Sequence, residues 1–262
     1  MEIITSKENE KVKHIKKLKD KKYRDEFGQY IIEGIKMIEE AIAEHVDIES
    51  IVICEDCIKS ATLSEAILYE IAKYDCIYVT ENILVNLTGV INPQGILAII
   101  NKPKEKKEID YTQDLILVLD NIQDPGNMGT ILRTIDSTNL NQVIISKNSA
   151  DVYNPKVIRS TMGAIFRLNI IESADLEKTL TEIKKHKYKV LVTSMNAEES
   201  LYQTELKKVA VVMGNEGNGV SANVLKKADK QIKIPILGAT ESLNVSVATG
   251  IILYEYVRRN LQ

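Results

Sequence analysis

The chain has 262 residues, of which 44% are hydrophobic and 27% charged, an ordinary composition for a water-soluble globular protein. Apolar runs such as Leu115–Leu119 and Val209–Met213 are far shorter than the roughly 18 residues of a membrane span, and MEIITSKENE lacks the apolar core of a secretory signal. The net charge of −3 gives no sign of nucleic-acid binding, and three cysteines at 54, 57 and 76 fit a reducing cytoplasm better than a disulfide scaffold.

The first hundred residues predict an alternating α/β unit. Helical spacing and short apolar runs predict a helix over 10–22, a strand over 29–32, helix 34–44, strand 48–54, helix 60–74, strand 77–80, helix 82–87 and strand 95–100. The polar segment 101–113, with one proline and four lysines, follows as either a linker or a surface loop. A strong strand restarts at Leu115, which favours a linker at 105–113 between domains 1–104 and 114–262.

A basic segment lies near the start of the chain. Lys7 to Arg24 carries nine Lys or Arg residues against three Asp or Glu, a local balance of +6. Such a segment can pair with phosphates, and Lys16 and Lys17 are its candidates for RNA contact. A solvated helix face is the alternative interpretation.

The second half also alternates strands with helices. The predicted strands are 115–119, 142–146, 166–171, 189–193, 209–213 and 231–234, and the predicted helices are 127–137, 155–161, 176–186, 221–227 and 245–260. Apolar strands that alternate with helices are typical of a parallel sheet covered on both faces. Ligands bind beyond the carboxyl ends of such strands, so the loops that follow them are the candidate sites.

The first such loop is DNIQDPGNMGTILR, residues 120–133. Pro125 and Gly126 break the chain, and Asn127 is a candidate N-cap for a helix that starts near Gly129. Arg133 then lies about one and a half turns into that helix. A plain strand-to-helix turn explains the proline and the glycines, but it explains less well why the turn is rich in Asp and Asn.

Two later loops complete the set. GNEGNGVS, residues 214–221, has the glycine spacing of a phosphate-binding loop, but Val220 stands where that loop needs lysine. A kinase or a nicotinamide-dependent enzyme is therefore unexpected, although Glu216 places a carboxylate in the loop. In IPILGATESLNVSVAT, residues 234–249, Ser242 and Asn244 can both cap the last helix, one more cap than a helix needs.

These three loops together closely resemble, in order and spacing, the motifs of the SpoU (TrmH-like) branch of the SPOUT RNA methyltransferases. The matching positions are Asn127 and Arg133, Gly214-Asn215-Glu216-Gly217 and Ser242-Leu243-Asn244-Val245. NPKVIRSTMGAIFRL, residues 154–168, is similar to the family's stretch between the first two motifs. More weakly, YIIEGIKMIEEAI and NPQGILAII resemble the small ribosomal-protein-like α/β domain that binds substrate in ribose methyltransferases.

The resemblance implies a C-terminal trefoil knot, a homodimer formed through the knotted domain, and S-adenosylmethionine as cofactor. By position, the cofactor would lie against backbone groups of Ser194, Met195, Asn196, Gly214, Ile234 and Leu243. The glycine also fits physically, because a residue without Cβ lets backbone approach an adenosine closely. No metal is implied, since Cys54-x-x-Cys57 has no second pair to complete four ligands.

The implied reaction transfers the cofactor's methyl group to a ribose 2′-hydroxyl, most simply in ribosomal RNA. The candidate catalytic residues are Arg133, Asn127, Glu216, Ser242 and Asn244. The resemblance assigns deprotonation to Arg133, yet a guanidinium stays protonated at ordinary pH. It therefore either clamps a phosphate or has a strongly lowered pKa, and the clamp is its minimum role. Arg159 matches a family arginine and is a further candidate for RNA contact.

The sequence leaves three other hypotheses open. A knotted relative that had lost its catalytic groups would bind RNA without activity, although all three motifs are intact. The enzyme could methylate a base, although the Asn, Arg, Glu, Ser and Asn set favours ribose. The substrate could be transfer RNA, although a separate N-terminal domain favours ribosomal RNA by analogy.

Overall fold

The computed structural model describes residues 3–58, 64–88, 93–105 and 107–261. The chain divides into two compact units, one formed by 1–105 with 153–166 and the other by 106–152 with 167–262. Residues 153–166 therefore belong to the first unit, although they come from the second half of the sequence. Among the residues described, no helix combines the length and the apolarity needed to cross a bilayer.

The first unit is built on a five-stranded mixed sheet. Its strands are β1 (Ile3–Ile4), β2 (Gln29–Glu33), β3 (Ile48–Ile53), β4 (Cys76–Val79) and β5 (Ile96–Asn101). Its helices are α1 (Glu10–Lys17), α2 (Lys21–Phe27), α3 (Ile35–Ala43), α4 (Glu55–Ile58), α5 (Glu65–Ile71), α6 (Glu81–Thr88) and, later in the chain, α8 (Pro155–Thr161). The strand order is β1-β4-β3-β5-β2, and β5 runs antiparallel to both of its neighbours.

The second unit is built on a seven-stranded sheet in which every pair is parallel. Its strands are β6 (Leu115–Leu119), β7 (Gln142–Ser146), β8 (Asn169–Ser173), β9 (Lys189–Thr193), β10 (Glu199–Ser200), β11 (Val209–Met213) and β12 (Lys230–Lys233). Its helices are α7 (Pro125–Asp136), α10 (Leu176–Lys185), α11 (Ala222–Leu225) and α12 (Val245–Asn260), and α9 (Ala164–Arg167) crosses the sequence boundary of the two units. The predicted α/β fold with a parallel sheet is confirmed.

The strand order β10-β12-β9-β11-β6-β7-β8 places the functional loops together. Every residue of β6 and β11 is buried, as expected for central strands of a sheet covered on both faces. The carboxyl ends of β6, β11, β9 and β12 meet at one edge because these strands are parallel neighbours. The loops that follow them begin at 120, 214, 194 and 234, which are the predicted cofactor and catalytic loops.

The predicted continuous helix over 10–22 is wrong. It is interrupted between α1 and α2, where the Asp20 side chain caps α2 by accepting from the backbone of Lys22 at 3.0 Å. The buried Arg24 guanidinium donates to the carbonyls of Leu18 and Lys19 at 2.9 and 2.7 Å, which satisfies the end of α1. This cation of the basic segment therefore stabilises the fold and is not presented to a phosphate.

Other boundaries also differ from the sequence prediction. Residues 164–167 form α9, so the strand predicted from Phe166 begins only at Asn169. The helix of the first loop begins at Pro125, and Asp124 is its N-cap in place of Asn127. The predicted helix over 60–74 is observed as α5, and its residues 60–63 lie outside the described ranges. The two-residue strands β1 and β10 are too short to produce a periodic pattern.

Residues 107–113, in the segment that follows β5, belong to the second unit. Lys107 Nζ donates to the carbonyl of Leu168 at 2.7 Å, and the Asp110 amide donates to Gln142 Oε1 at 2.9 Å. Lys208 Nζ donates to the carbonyl of Tyr111 at 2.8 Å. Residues 107–113 are thus ordered by hydrogen bonds within the second unit.

The end of α12 is fixed by a buried carboxylate, and its loss is expected to destabilise the protein. Glu255, with a side chain 6% exposed, accepts from Arg258 Nε and Arg259 Nε at 2.7 Å each. Arg259 also donates to the carbonyls of Leu201 and Thr204, which connects α12 to the turn after β10. Hydrogen bonds from Arg258, and further ones from Arg259, lower the pKa of Glu255 to about 2, against the effect of burial.

A lowered folded-state pKa means that Glu255 stabilises the fold above its unfolded pKa of roughly 4.3, and that this contribution is lost as pH falls toward 2. We expect Glu255→Gln to lower the free energy of unfolding by about 2 kcal/mol at pH 7, as measured by urea denaturation. The difference in free energy of unfolding between Glu255→Gln and the wild type should decrease as the pH falls from about 5 to about 2. Glu205→Gln, at an exposed position, is the control, and a pH-independent difference for Glu255→Gln would contradict the prediction.

Candidate active site

An open cavity of about 880 Å³ lies at the carboxyl edge of the second unit's sheet. Its volume falls within the roughly 300–1,000 Å³ typical of small-molecule sites. All six residues predicted to bind the cofactor line it, namely Ser194, Met195, Asn196, Gly214, Ile234 and Leu243. Of the predicted catalytic residues, Glu216, Ser242 and Asn244 line it, whereas Asn127 and Arg133 do not.

The glycine loop after β11 closes tightly on itself. The backbone amides and carbonyls of Asn215 and Gly219 exchange hydrogen bonds of 2.9 and 3.0 Å. A Cβ on Gly214 would lie 2.2 Å from the Val220 nitrogen and 2.3 Å from the Gly219 carbonyl carbon. Sequence reasoning attributed this glycine to the close approach of an adenosine; the structure adds a requirement of the loop itself.

Asn127 connects the three motifs through its side-chain amide. Its Nδ2 donates to Glu216 Oε1 at 3.0 Å, and its Oδ1 accepts from Asn244 Nδ2 at 3.0 Å. Both of its functional ends are therefore used, one toward the second loop and one toward the third. The predicted role as an N-cap is wrong, since its backbone amide donates instead to Asp124 Oδ1 at 2.8 Å.

Glu216 lies at the edge of the cavity with its carboxylate oriented by several donors. Besides Asn127, the backbone amides of Gln123 and Asp124 point at it from 3.5 and 3.4 Å, and Asn215 Nδ2 lies 3.3 Å away. The amides come from the turn before α7, where the positive end of the helix favours an anion. The first loop thereby holds the second loop's carboxylate in one orientation.

The two candidate capping residues of the third loop, Ser242 and Asn244, have different roles. Asn244 is the N-cap of α12, and its Oδ1 accepts from the backbone amides of Ser246 and Val247 at 2.9 and 3.4 Å. Ser242 is exposed and does not cap the helix, and its carbonyl accepts from Thr240 Oγ1 at 3.1 Å. The second candidate cap is thus a hydroxyl that lines the cavity.

Sequence reasoning missed Asp120, a buried carboxylate that follows β6 directly. Its Oδ2 accepts from the backbone amide of Ser221 at 2.8 Å, and its Oδ1 accepts from Asn121 Nδ2 at 3.0 Å. The Asn121 carbonyl in turn accepts from Asn215 Nδ2 at 2.8 Å. These contacts fasten the first loop to the second. The signal was present as an acidic residue immediately after a fully apolar strand.

The four predicted RNA-binding residues lie in different parts of the chain. Arg133 is on α7 in the second unit, exposed, and within the described residues its guanidinium has no hydrogen bond or ion pair. Lys16 and Lys17 are exposed on α1 in the first unit. Arg159, on α8 in the first unit, is 43% exposed and lies 3.8 Å from Glu33.

The site is built from loop backbone and a few polar side chains. Over the described ranges, His, Cys, Asp and Glu side chains form no group of three or more that could hold an ion. The cavity is open and lined by loop backbone, together with the carboxylates of Glu216 and Glu241, the ammonium group of Lys233 and several amide and hydroxyl side chains. Such a site can hold an organic cofactor and orient a polar substrate group beside it.

Comparison with protein families gives two matches that together span most of the chain. The profile of the SpoU rRNA Methylase family matches residues 114–254. The profile of the MRM3-like substrate binding domain matches residues 9–98. A 23S rRNA (guanosine(2553)-2′-O)-methyltransferase, RlmP of Bacillus subtilis, is 33% identical over 257 residues, which cover 97% of this chain and 98% of that protein.

Two solved structures are similar over the whole chain. An RNA 2′-O ribose methyltransferase aligns with a TM-score of 0.84 and 30% identity, covering 100% of both chains. The rRNA methyltransferase from Sinorhizobium meliloti with bound AdoMet aligns with a TM-score of 0.84 and 26% identity, covering 100% of this chain and 98% of that one. Both alignments therefore extend over the residues of both units.

Proposed function

Because this chain belongs to the SpoU rRNA methylase family, we propose that it transfers the methyl group of S-adenosylmethionine to a ribose 2′-hydroxyl of ribosomal RNA. The cavity of the second unit is the observation that carries the proposal, because its lining includes each residue that the family motifs assign to the cofactor. The similar enzyme from Bacillus subtilis is named for 2′-O-methylation of 23S rRNA, and one similar structure contains AdoMet.

The cavity fits the cofactor in size and in chemistry. Backbone edges of three loops line it, and these can pair with an adenine and a ribose through peptide groups. Two carboxylates, Glu216 and Glu241, and one ammonium group, that of Lys233, are also in the lining, and the excess negative charge favours a cationic ligand over an anionic one. S-adenosylmethionine carries such a cation, a sulfonium that supplies an electrophilic methyl group.

The reaction is an in-line displacement that needs orientation more than acid–base strength. When bound, S-adenosylmethionine would supply the methyl group: the ribose oxygen would bond to the methyl carbon as the carbon–sulfur bond breaks and its electron pair goes to sulfur. The hydroxyl proton would pass to solvent water in the open cavity. Ser242 and Asn244 lie at the cavity wall, where they orient the ribose. Asn127 holds Glu216 and Asn244 in fixed relation, so we assign it a positioning role.

Arg133 is proposed to clamp a phosphate of the RNA. Its planar fork of donors suits that task without any change of protonation state. It is exposed and lies outside the lining of its own cavity, which favours action on the cavity of a second copy. We therefore propose a homodimer in which each Arg133 serves the partner subunit, and Arg159, Lys16 and Lys17 contact RNA elsewhere.

We propose that the chain has two functional domains joined by a linker. Residues 1–104 bind the RNA substrate, residues 105–113 join the domains, and residues 114–262 form the methyltransferase domain. The match of 9–98 to a substrate-binding domain supports the first of these assignments. The trefoil knot implied by the motifs is proposed for the C-terminal part. An enzyme of ribosomal RNA acts where ribosomes are assembled, so we place it in the cytoplasm.

The proposal is tested with purified protein, S-adenosylmethionine and ribosomal RNA from cells that lack the gene. We expect cofactor binding by isothermal titration and a new 2′-O-methylated nucleoside in the ribosomal RNA by mass mapping. Transfer RNA from the same cells is the control. Methylation of a base or of transfer RNA alone would contradict the proposal, and absence of cofactor binding would favour an inactive RNA-binding protein.

A further inference from the structure

A second, smaller pocket lies within the first unit and shares no lining residue with the cofactor cavity. Its volume is about 220 Å³, below the roughly 300–1,000 Å³ of clefts that bury drug-sized ligands. The buried side chains of Ile31, Leu87 and Ile158 supply apolar surface. A pocket of this size with apolar walls suits one flat ring system.

Glu33, at the end of β2, supplies the pocket's carboxylate. Its side chain is only 12% exposed, and the nearest cation, Arg159 Nη1, lies 3.8 Å away, beyond hydrogen-bond distance. Within the described residues, no donor makes a hydrogen bond to this carboxylate, although it has about four acceptor positions. Burial raises its pKa, while the positive charges of Arg159 and Lys19 oppose that rise.

Three cationic side chains contribute to the same pocket. Lys19 donates to the carbonyl of Asn86 at 2.7 Å, and Lys156 and Arg159 are exposed. These three cations outnumber the single carboxylate, so the pocket's surroundings attract the phosphates of a nucleic acid, whereas Glu33 itself accepts hydrogen bonds only from a donor group. The charges therefore suit a neutral hydrogen-bond donor inside the pocket and a nucleic-acid backbone around it.

We propose that this pocket binds an unpaired guanine of the RNA, with the Glu33 carboxylate accepting hydrogen bonds from guanine N1–H and the N2 amino group. The inference rests on the proposed function, since that makes RNA the substrate. Guanine is the standard base with two adjacent donors on its Watson–Crick edge, which match the two oxygens of one carboxylate. Unpaired bases that stack on side chains and are read at this edge are the usual targets of sequence-specific RNA recognition.

The test measures binding of the full-length protein to three fluorescein-labelled RNA pentamers, UUGUU, UUIUU and UUAUU. Inosine lacks only the N2 amino group of guanosine, so it removes one of the two proposed hydrogen bonds. We expect UUGUU to bind about tenfold more tightly than UUIUU or UUAUU. E33Q should abolish that preference, because its amide NH₂ faces a donor, and E39Q, at an exposed position on α3, should retain it.

Equal affinity of the wild type for the three pentamers would overturn the proposal, as would an unchanged guanosine preference in a folded E33Q. The comparison with inosine uses the wild-type protein, so it can overturn the proposal even if E33Q does not fold. Methyl transfer to ribosomal RNA by the same wild-type preparation is measured in parallel. If the protein methylates ribosomal RNA but does not prefer guanosine, only the proposed role of the pocket is contradicted. If it prefers guanosine but does not methylate ribosomal RNA, only the proposed function is contradicted.

Discussion

Gly214→Ala is expected to abolish detectable cofactor binding and to lower the free energy of unfolding by about 3 kcal/mol. The new Cβ would lie 2.2 and 2.3 Å from backbone atoms of Val220 and Gly219, closer than any Cβ contact allows. Backbone cannot rotate away as a side chain can, so the 214–220 loop must open. That loop forms one wall of the cavity, and we expect affinity for S-adenosylmethionine to fall more than about a hundredfold.

The matched control lies three residues further on. A Cβ on Gly217 would meet only Asn215 Oδ1 at 3.7 Å, an ordinary contact, so Gly217→Ala should bind the cofactor nearly as the wild type does. Isothermal titration gives the affinities, and urea denaturation gives the stabilities. Wild-type affinity in Gly214→Ala would show that the loop adapts to a side chain and that its closure is not required for the site.

Much of the second unit could be predicted from sequence, because its central strands β6, β7 and β11 are buried at every position. Runs such as Leu115–Leu119 and Val209–Met213 are apolar at every position, and their bounds agree with the structure. The break after Lys17 could not be predicted, because it depends on a buried guanidinium that binds carbonyls five and six residues back. A pattern of hydrophobic spacing contains no information about such a contact.

The sequence predicted which residues form the candidate site, but not which of them make hydrogen bonds to one another. The motifs identified Asn127, Glu216 and Asn244 separately, yet no spacing indicates that one amide bonds to the other two. The two hydrogen bonds join residues that are 89 and 117 positions apart in the sequence, so they form only once the sheet is assembled. Residues 153–166 show the same limit, since they follow β7 in the chain but belong to the first unit.

Arg133→Ala is expected to lower kcat for methyl transfer roughly 10²–10³-fold while leaving cofactor affinity unchanged. The side chain is exposed on α7 and does not line the cavity of its own subunit, so its removal should not disturb the cofactor loops. Arg133→Lys keeps the charge but loses the two-pronged donor geometry, and we expect it to recover only part of the rate. Single-turnover kinetics on ribosomal RNA, with titration of the cofactor, separate the two effects.

Mixing two inactive variants tests whether Arg133 acts across the proposed dimer. A heterodimer of Arg133→Ala and Gly214→Ala contains one intact cavity, on the first subunit, and one intact arginine, on the second. If Arg133 serves the partner subunit, an equal mixture after subunit exchange should regain about a quarter of wild-type activity, because half of the dimers contain one complete site. If it serves its own subunit, the mixture stays inactive, since neither chain then holds both parts. Undiminished turnover by Arg133→Ala alone would remove the arginine from the mechanism altogether.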